Sequence, residues 1–282
     1  MLITATAAAR LWRISVILSG ILMGLAGPLP GAGLPAFAAG PKAQSAQTEI
    51  TTKARQAILM DADSGAVLFQ HNADEMAPPA SMSKLMTIAI VFKALKSGQI
   101  KLDDEFLMSV NAWRRGGAPS GTSAMLVPVN TREKLDLLLQ GVIVQSGNDA
   151  CIAIAEGLAG TEDAFARLMV EEARKIGMKK AEFRNATGLS HPEHRMPVRE
   201  LAILARHIIR EYPEHYGRFS QRELLYRKHT FANRNPVLGA GLGIDGMKTG
   251  HLKESGYGIV VSAKQDNRRL ILVINEIGRA HV

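Results

Sequence analysis

In the stretch PPASMSKLMT, Pro78 to Thr87, Ser81 stands three residues ahead of Lys84 at the mouth of an apolar run, IAIVFKAL. On a helix, positions i and i+3 share a face, so the lysine amine would lie beside the serine hydroxyl. A lysine taken out of water loses its charge readily and could then accept the hydroxyl proton, leaving a serine nucleophile. The same residues also read as an ordinary helix start, with Ser as N-cap and Lys as a good helix former. Two further patterns bear on the choice. Ser146-Gly147-Asn148 follows the apolar run LLLQGVIVQ, and Lys248-Thr249-Gly250 closes the segment GIDGM. A tight S-G-N turn between two apolar helices can push both side chains into a cleft. Ser109-Val110-Asn111 has the same S-x-N form but lies in a polar stretch expected to be exposed. Each pattern alone arises by accident, a plain turn or a surface lysine being the alternative.

The elements that must position these residues can be read from periodicity. QAILMDADSGAVLFQHN predicts two strands around a turn at Asp61–Gly65. From Ser81 the pattern becomes helical and stops at Gly98. The loop RRGGAPSGTSA follows. TREKLDLLLQGVIVQ, DACIAIAEGLAG, TEDAFARLMVEEARKIGM and PVRELAILARHIIREY then predict four more helices. GLGIDGMKTG, SGYGIVVSAKQ and NRRLILVIN return to strand, the last two joined as a hairpin. Strands at both ends with helices between predict one sheet built from both ends of the chain, an α+β arrangement.

The chain has 282 residues, 46% hydrophobic and 21% charged, enough for a large core. Arg10 and Arg13 precede the apolar run ISVILSGILMGLAG, which leads to Ala36-Phe37-Ala38. This predicts a secretory signal peptide over 1–38 and an exported protein of the periplasm or cell envelope. Residues 39–52 are small and polar and read as a linker, leaving 53–275 as the catalytic domain. The formal charge of +8 falls to +6 without Arg10 and Arg13. Its positive residues are scattered and lack interleaved aromatics, which argues against nucleic acid as a partner. The single cysteine, Cys151, lies in an apolar helix and is expected to be a buried thiol. No metal or nucleotide motif is found, and no cofactor is expected. The Pro within His191-Pro192-Glu193-His194 predicts a loop rather than a helical metal site. The end, EIGRAHV over 276–282, resembles a translated sequencing adapter, so it is expected to be non-native, with a C-terminal part missing.

S-x-x-K at a helix start, S-x-N between helices and K-T-G on a late strand, in that order, form the motif set of penicillin-binding proteins and class A β-lactamases. With the flanking text PPASMSKLMT, FRNATGLS, FANRN and DGMKTGH, residues 50–275 resemble the low-molecular-mass penicillin-binding proteins, serine-type D-alanyl-D-alanine carboxypeptidases. The resemblance implies a β-lactamase/DD-peptidase-like α+β fold: a five-stranded antiparallel sheet flanked by helices, plus a helical subdomain, with the Ser81 cleft between. It implies removal of the terminal D-alanine from peptidoglycan stem peptides ending in D-Ala-D-Ala, and acylation by β-lactam antibiotics. Ser81 would form the acyl-enzyme and Lys84 would be its base. Ser146, its hydroxyl held by a nearby lysine, would relay a proton to the departing amine, and Asn148 would bond the substrate amide. Lys248 would supply fixed positive charge, Thr249 would bond the substrate carboxylate, and Gly250 would let substrate lie along the strand. Backbone N–H groups of Ser81 and His251 would hold the oxyanion. Relatives often continue with a helix on the sheet, a small β-rich domain and an amphipathic anchor, so membrane attachment would lie in the missing part.

Three rivals share much of this machinery. A class A β-lactamase would need a glutamate in an E-x-x-L-N pattern; Glu182 in EFRN has its Asn one residue early and no Leu before it. A non-catalytic wall-binding protein would have no use for Ser81, Lys84, Ser146 and Lys248 together. Endopeptidase action on cross-linked wall peptides uses the same chemistry and stays open at this point.

Overall fold

The computed structural model describes residues 50–277. The expected signal peptide 1–38, linker residues 39–49 and the end 278–282 lie outside the described residues. The central sheet has the order β2-β1-β9-β8-β7, every neighbouring pair antiparallel. Its strands are β1 (Gln56–Asp61), β2 (Val67–His71), β7 (Ile244–Leu252), β8 (Gly256–Gln265) and β9 (Arg268–Ile277). Glu276 and Ile277 thus complete β9. The β1–β2 turn follows from its residues. The Asp61 carboxylate accepts from Ser64 N at 2.9 Å and Ser64 Oγ at 2.8 Å, and Gly65 takes the left-handed φ of 79°.

One sheet face is apolar at every second residue. Ile58, Met60, Val260, Ile271 and Val273 point inward and are buried. Helix α6 (Val198–Glu211) packs on β1 and β9, and α1 (Lys84–Lys96) packs on α6, α5 and α4. Helix α1 is apolar on almost every side because almost every side is buried, Leu85, Ile88, Val91 and Phe92 completely. The helical subdomain comprises α2 (Val110–Gly116), α3 (Leu135–Gln140), α4 (Asn148–Ala159) and α5 (Glu162–Lys175). A short helix, α7 (Pro213–Tyr216), follows α6. Two small hairpins, β3 (Glu105–Leu107) with β4 (Arg132–Lys134) and β5 (Glu223–Tyr226) with β6 (His229–Ala232), complete the described elements.

Several boundaries differ from the sequence reading. The run from Thr131 is not one helix: Arg132–Lys134 pair with β3, α3 begins at Leu135, and Gly141–Gln145 close as a single π turn. A Cβ on Gly141 would stand 2.4 Å from Met125 Sδ, so any larger residue in this turn would have to displace the Met125 side chain. The segment GLGIDGMKTG is not extended throughout. Gly239, Gly241 and Gly243 have positive φ, and β7 begins at Ile244. Helix α2 was not expected; Ser109 is its N-cap, with Oγ accepting from Ala112 N at 2.9 Å.

Candidate active site

Ser81 does not start an α-helix directly. It sits in a 3-10 turn, Ala80–Ser83, that leads into α1 at Lys84. The turn is clamped from three directions. Asn275 of β9 donates to Pro78 O at 3.2 Å. Gly250 of β7 passes so close that an added Cβ would stand 3.0 Å from both Ala80 Cβ and Pro79 O. A Cβ on Gly188 would fall 2.0 Å from Ala80 O, and Gly188 has a φ of 76°. Ala80 itself is held at a φ of 50°, a costly conformation for a residue with a Cβ that persists because its surroundings fix it.

Lys84 is fully buried, with 0% exposure, and its Nζ meets three oxygens: Ser81 Oγ at 2.8 Å, Asn148 Oδ1 at 2.6 Å and Thr187 O at 2.5 Å. Burial is the largest influence on it and pushes its pKa down to about 8. Asn148 Oδ1 and Thr187 O can only accept, so they take two N–H groups of a neutral amine. The remaining tetrahedral position, the lone pair, then faces Ser81 Oγ. A buried amine held this way can take the serine proton. Thr187 belongs to FRNATGLS, whose part in seating the lysine the sequence does not announce. Asn185 Oδ1 folds that loop by accepting from Thr187 N, Thr187 Oγ1 and Gly188 N.

The π turn delivers Ser146 in the left-handed region, with a φ of 62°. Its Oγ is buried and has no hydrogen-bond partner among the described residues, so the expected lysine contact is not made. Asn148 donates from its backbone N to Ser123 O at 2.8 Å and from Nδ2 to Thr122 Oγ1 at 2.9 Å. Both ends of its amide are therefore engaged within the protein, and one Nδ2 hydrogen remains for a ligand. Ser109 and Asn111, the competing S-x-N pair, turn away to Glu156 at 2.5 and 2.7 Å.

On edge strand β7, Lys248 is 1% exposed and its Nζ donates to Thr249 O at 3.2 Å. Burial first, then the facing Lys84 charge, holds its pKa well below the ordinary lysine range. An incoming carboxylate would favour its ammonium form. Thr249 is half-buried, and His251 is exposed and stacked on Tyr257 with ring centroids 4.3 Å apart.

Ser81, Asn148 and His251 line one cleft of about 720 Å³, together with Thr122, Gly188 and Arg234. Ser81, Lys84 and Asn148 are joined by direct hydrogen bonds. Ser146, Thr249 and Gly250 make no hydrogen bond to Ser81 or Lys84. Arg234, in FANRN, was not singled out from the sequence; its Nε lies 3.3 Å from Gln145 Oε1 and its charge opposes that of both Lys84 and Lys248. Glu182 pairs with Arg174 and Arg184 and lines a separate groove beside α5. Cys151 is buried and its Sγ lies 3.0 Å from Ala186 O. His194 of the HPEH segment is enclosed and packs edge-on against Phe183.

The family model for D-alanyl-D-alanine carboxypeptidases, peptidase S11, matches residues 42–277. D-alanyl-D-alanine carboxypeptidase DacC of Escherichia coli is 41% identical over 223 residues, covering 78% of this chain and 56% of the relative. The chain therefore spans little more than half the length of that relative. Penicillin-binding protein 5 of Haemophilus influenzae superposes with a TM-score of 0.78 at 37% identity, over 82% of this chain and 67% of the other. Penicillin-binding protein D2 of Listeria monocytogenes, solved with ampicillin bound, superposes with a TM-score of 0.71 at 26% identity, over 83% of this chain and 93% of the other.

Proposed function

The chain belongs to the D-alanyl-D-alanine carboxypeptidase family, peptidase S11, and from that premise we propose that it removes the terminal D-alanine from peptidoglycan stem peptides through an acyl-enzyme on Ser81. The observation that carries this reading is the three-point seating of Lys84, which holds its Nζ 2.8 Å from Ser81 Oγ, where the neutral amine would turn its lone pair to the hydroxyl. Lys84 takes the Ser81 proton as Oγ attacks the carbonyl between the two D-alanines. The negative charge that develops on that oxygen is met by the backbone N–H groups of Ser81 and His251, each such donor contributing about 10²–10³ in rate. Ser146, whose hydroxyl has no partner of its own, passes a proton to the departing D-alanine amine. Lys248, Thr249 and Arg234 hold the terminal carboxylate of the substrate. Water then releases the shortened peptide and restores Ser81. A β-lactam enters the same sequence as an acyl donor and leaves its opened ring on Ser81.

We place this activity in the cell envelope, on the proposed leader over 1–38. Among the described residues no helix is long and apolar enough to cross a membrane.

Intact mass followed over time after adding a penicillin, beside the Ser81→Ala variant, tests the reading. A lasting adduct that the variant lacks, with D-alanine released from a D-Ala-D-Ala peptide, is the expected result. No adduct on a folded chain would overturn it. A fleeting adduct with the drug consumed would mark a β-lactamase.

A further inference from the structure

Asp149 follows the S-G-N motif directly, yet its carboxylate bonds neither Ser81 nor Lys84. Its side chain is completely buried at the start of α4 and meets only donors. Oδ1 accepts from Met125 N at 2.8 Å and Ala150 N at 2.9 Å, and Oδ2 accepts from Leu126 N at 2.8 Å and Val127 N at 3.3 Å. Three of these belong to the segment between α2 and β4, which has no ladder of its own there. That segment carries Thr122 and Ser123, the acceptors for Asn148 Nδ2 and Asn148 N. It is bent to reach the carboxylate, with Leu126 at a φ of 67°. Gly147 leaves the room for this: a Cβ there would stand 3.0 Å from Asp149 Oδ1 and 3.2 Å from Met125 N. The glycine of the motif and the acid after it form one device.

The device matters because an asparagine amide has two orientations. With Nδ2 on Thr122 Oγ1, Oδ1 faces Lys84 and takes one of its N–H groups. Turned over, Nδ2 would present a donor to Lys84 and draw the lone pair away from Ser81. We propose that Asp149 is a positioning residue: by pinning the 122–127 segment it holds Asn148 in the orientation that leaves the Lys84 lone pair on Ser81. This rests on the acyl-enzyme reading above and deepens it.

Asp149→Asn sets an amide N–H₂ against the Leu126 or Met125 N–H and releases the segment. Thr122→Val removes the acceptor for Asn148 together with the Thr122 Oγ1 contact to Ser120 Oγ at 2.7 Å; it lies at an exposed position and leaves the charge unchanged. The charged and titratable groups around Lys84 are Asp149 and Cys151 of α4, Glu162 of α5, Lys248 of β7, Arg234 after β6 and His194 of the 184–196 segment.

The test is the acylation rate with a penicillin, measured from pH 6 to pH 9.5 on the full chain and both variants, with thermal melts alongside. For Asp149→Asn the plateau should fall by about 10²-fold, the size of a small misplacement of reacting groups. Its acidic limb should move to lower pH, because an anion near Lys84 is lost. For Thr122→Val the plateau should fall by about tenfold, one neutral hydrogen bond, with the limb unmoved. A Thr122→Val rate equal to the parent's would overturn the proposal, including where Asp149→Asn does not fold. So would an Asp149→Asn loss no larger than its unfolded fraction. A parent chain that forms no adduct at all would instead overturn the acyl-enzyme reading.

Discussion

Acylation of Ser81 by a penicillin should slow tenfold for each pH unit below about 8. The perturbation is pH alone, and its target is the Lys84 amine. An ordinary lysine titrates at 10.5, and burial brings this one to about 8. At pH 7 roughly one such amine in ten is neutral, against roughly one in three thousand for an exposed lysine. Burial therefore raises the working base about 300-fold, equivalent to ~3 kcal/mol. The direction follows from charge type: the protonated form is the inactive one, so the rate climbs with pH and flattens once the amine is neutral. The assay is stopped-flow acylation with a fluorescent penicillin between pH 5.5 and pH 9.5, with circular dichroism at each pH to show that the fold holds. A rate that stays flat between pH 6 and pH 8 on folded protein would refute a neutral lysine base. A limb near 10 would refute the effect assigned to burial.

Gly250→Ala should cost about 1–3 kcal/mol in a melt and about 10²-fold in acylation, because the new Cβ meets Ala80 and Pro79 at 3.0 Å and pushes the Ser81 turn. Ser146→Ala should separate stability from function. Its hydroxyl is buried without a partner, so urea unfolding should show no loss of stability while acylation falls about 10²–10⁴-fold. His194 is 2% exposed and burial pushes it down to about 3, well below its unfolded value. The unfolded chain then binds more protons between those values. Stability from His194 is complete above about 6.5 and is lost toward pH 3 at up to about 1.4 kcal/mol per pH unit. Urea unfolding at pH 7 and pH 4 should show this loss, and His194→Leu should lack that contribution.

The sheet and the long helices were legible because burial writes a period into the sequence. Apolar runs bounded by turn residues gave β1 and β8, alternation gave β9, and the unbroken apolar run after Lys84 gave the central helix. The two-ended sheet followed from strands lying at both ends of the chain. What was not legible depends on contacts distant in sequence. Arg132–Lys134 look helical in isolation, but pairing with β3 outweighs propensity. The Ser109 segment reads as a polar, exposed stretch, although Ser109 is a good N-cap before a short helix. At the site, residue types pointed to Ser81, Lys84 and Asn148, which the fold joins by hydrogen bonds, while the seating of Lys84 by Thr187 O could not be read, since a backbone carbonyl leaves no trace in residue type. The burial of Lys248 could not be read for the same reason: position in a motif says nothing of solvent.

Strand β9 is the last described strand to be synthesised, yet it lies mid-sheet, between β1 and β8. Order in time and order in space are therefore at odds. As the chain is made, the β1–β2 hairpin and the β7–β8 pair can each form, but they have no seam to join them until 268–277 appear. Until then two strand edges stay open to other chains, which is the condition for pairing in the wrong place. Asn275, which steadies the turn before Ser81, arrives nearly two hundred residues after the turn it holds. Closing the sheet across such separations is slow. The contact that steadies the Ser81 turn therefore forms last, and a chain halted before Arg268 has Ser81 and Lys84 without that strand.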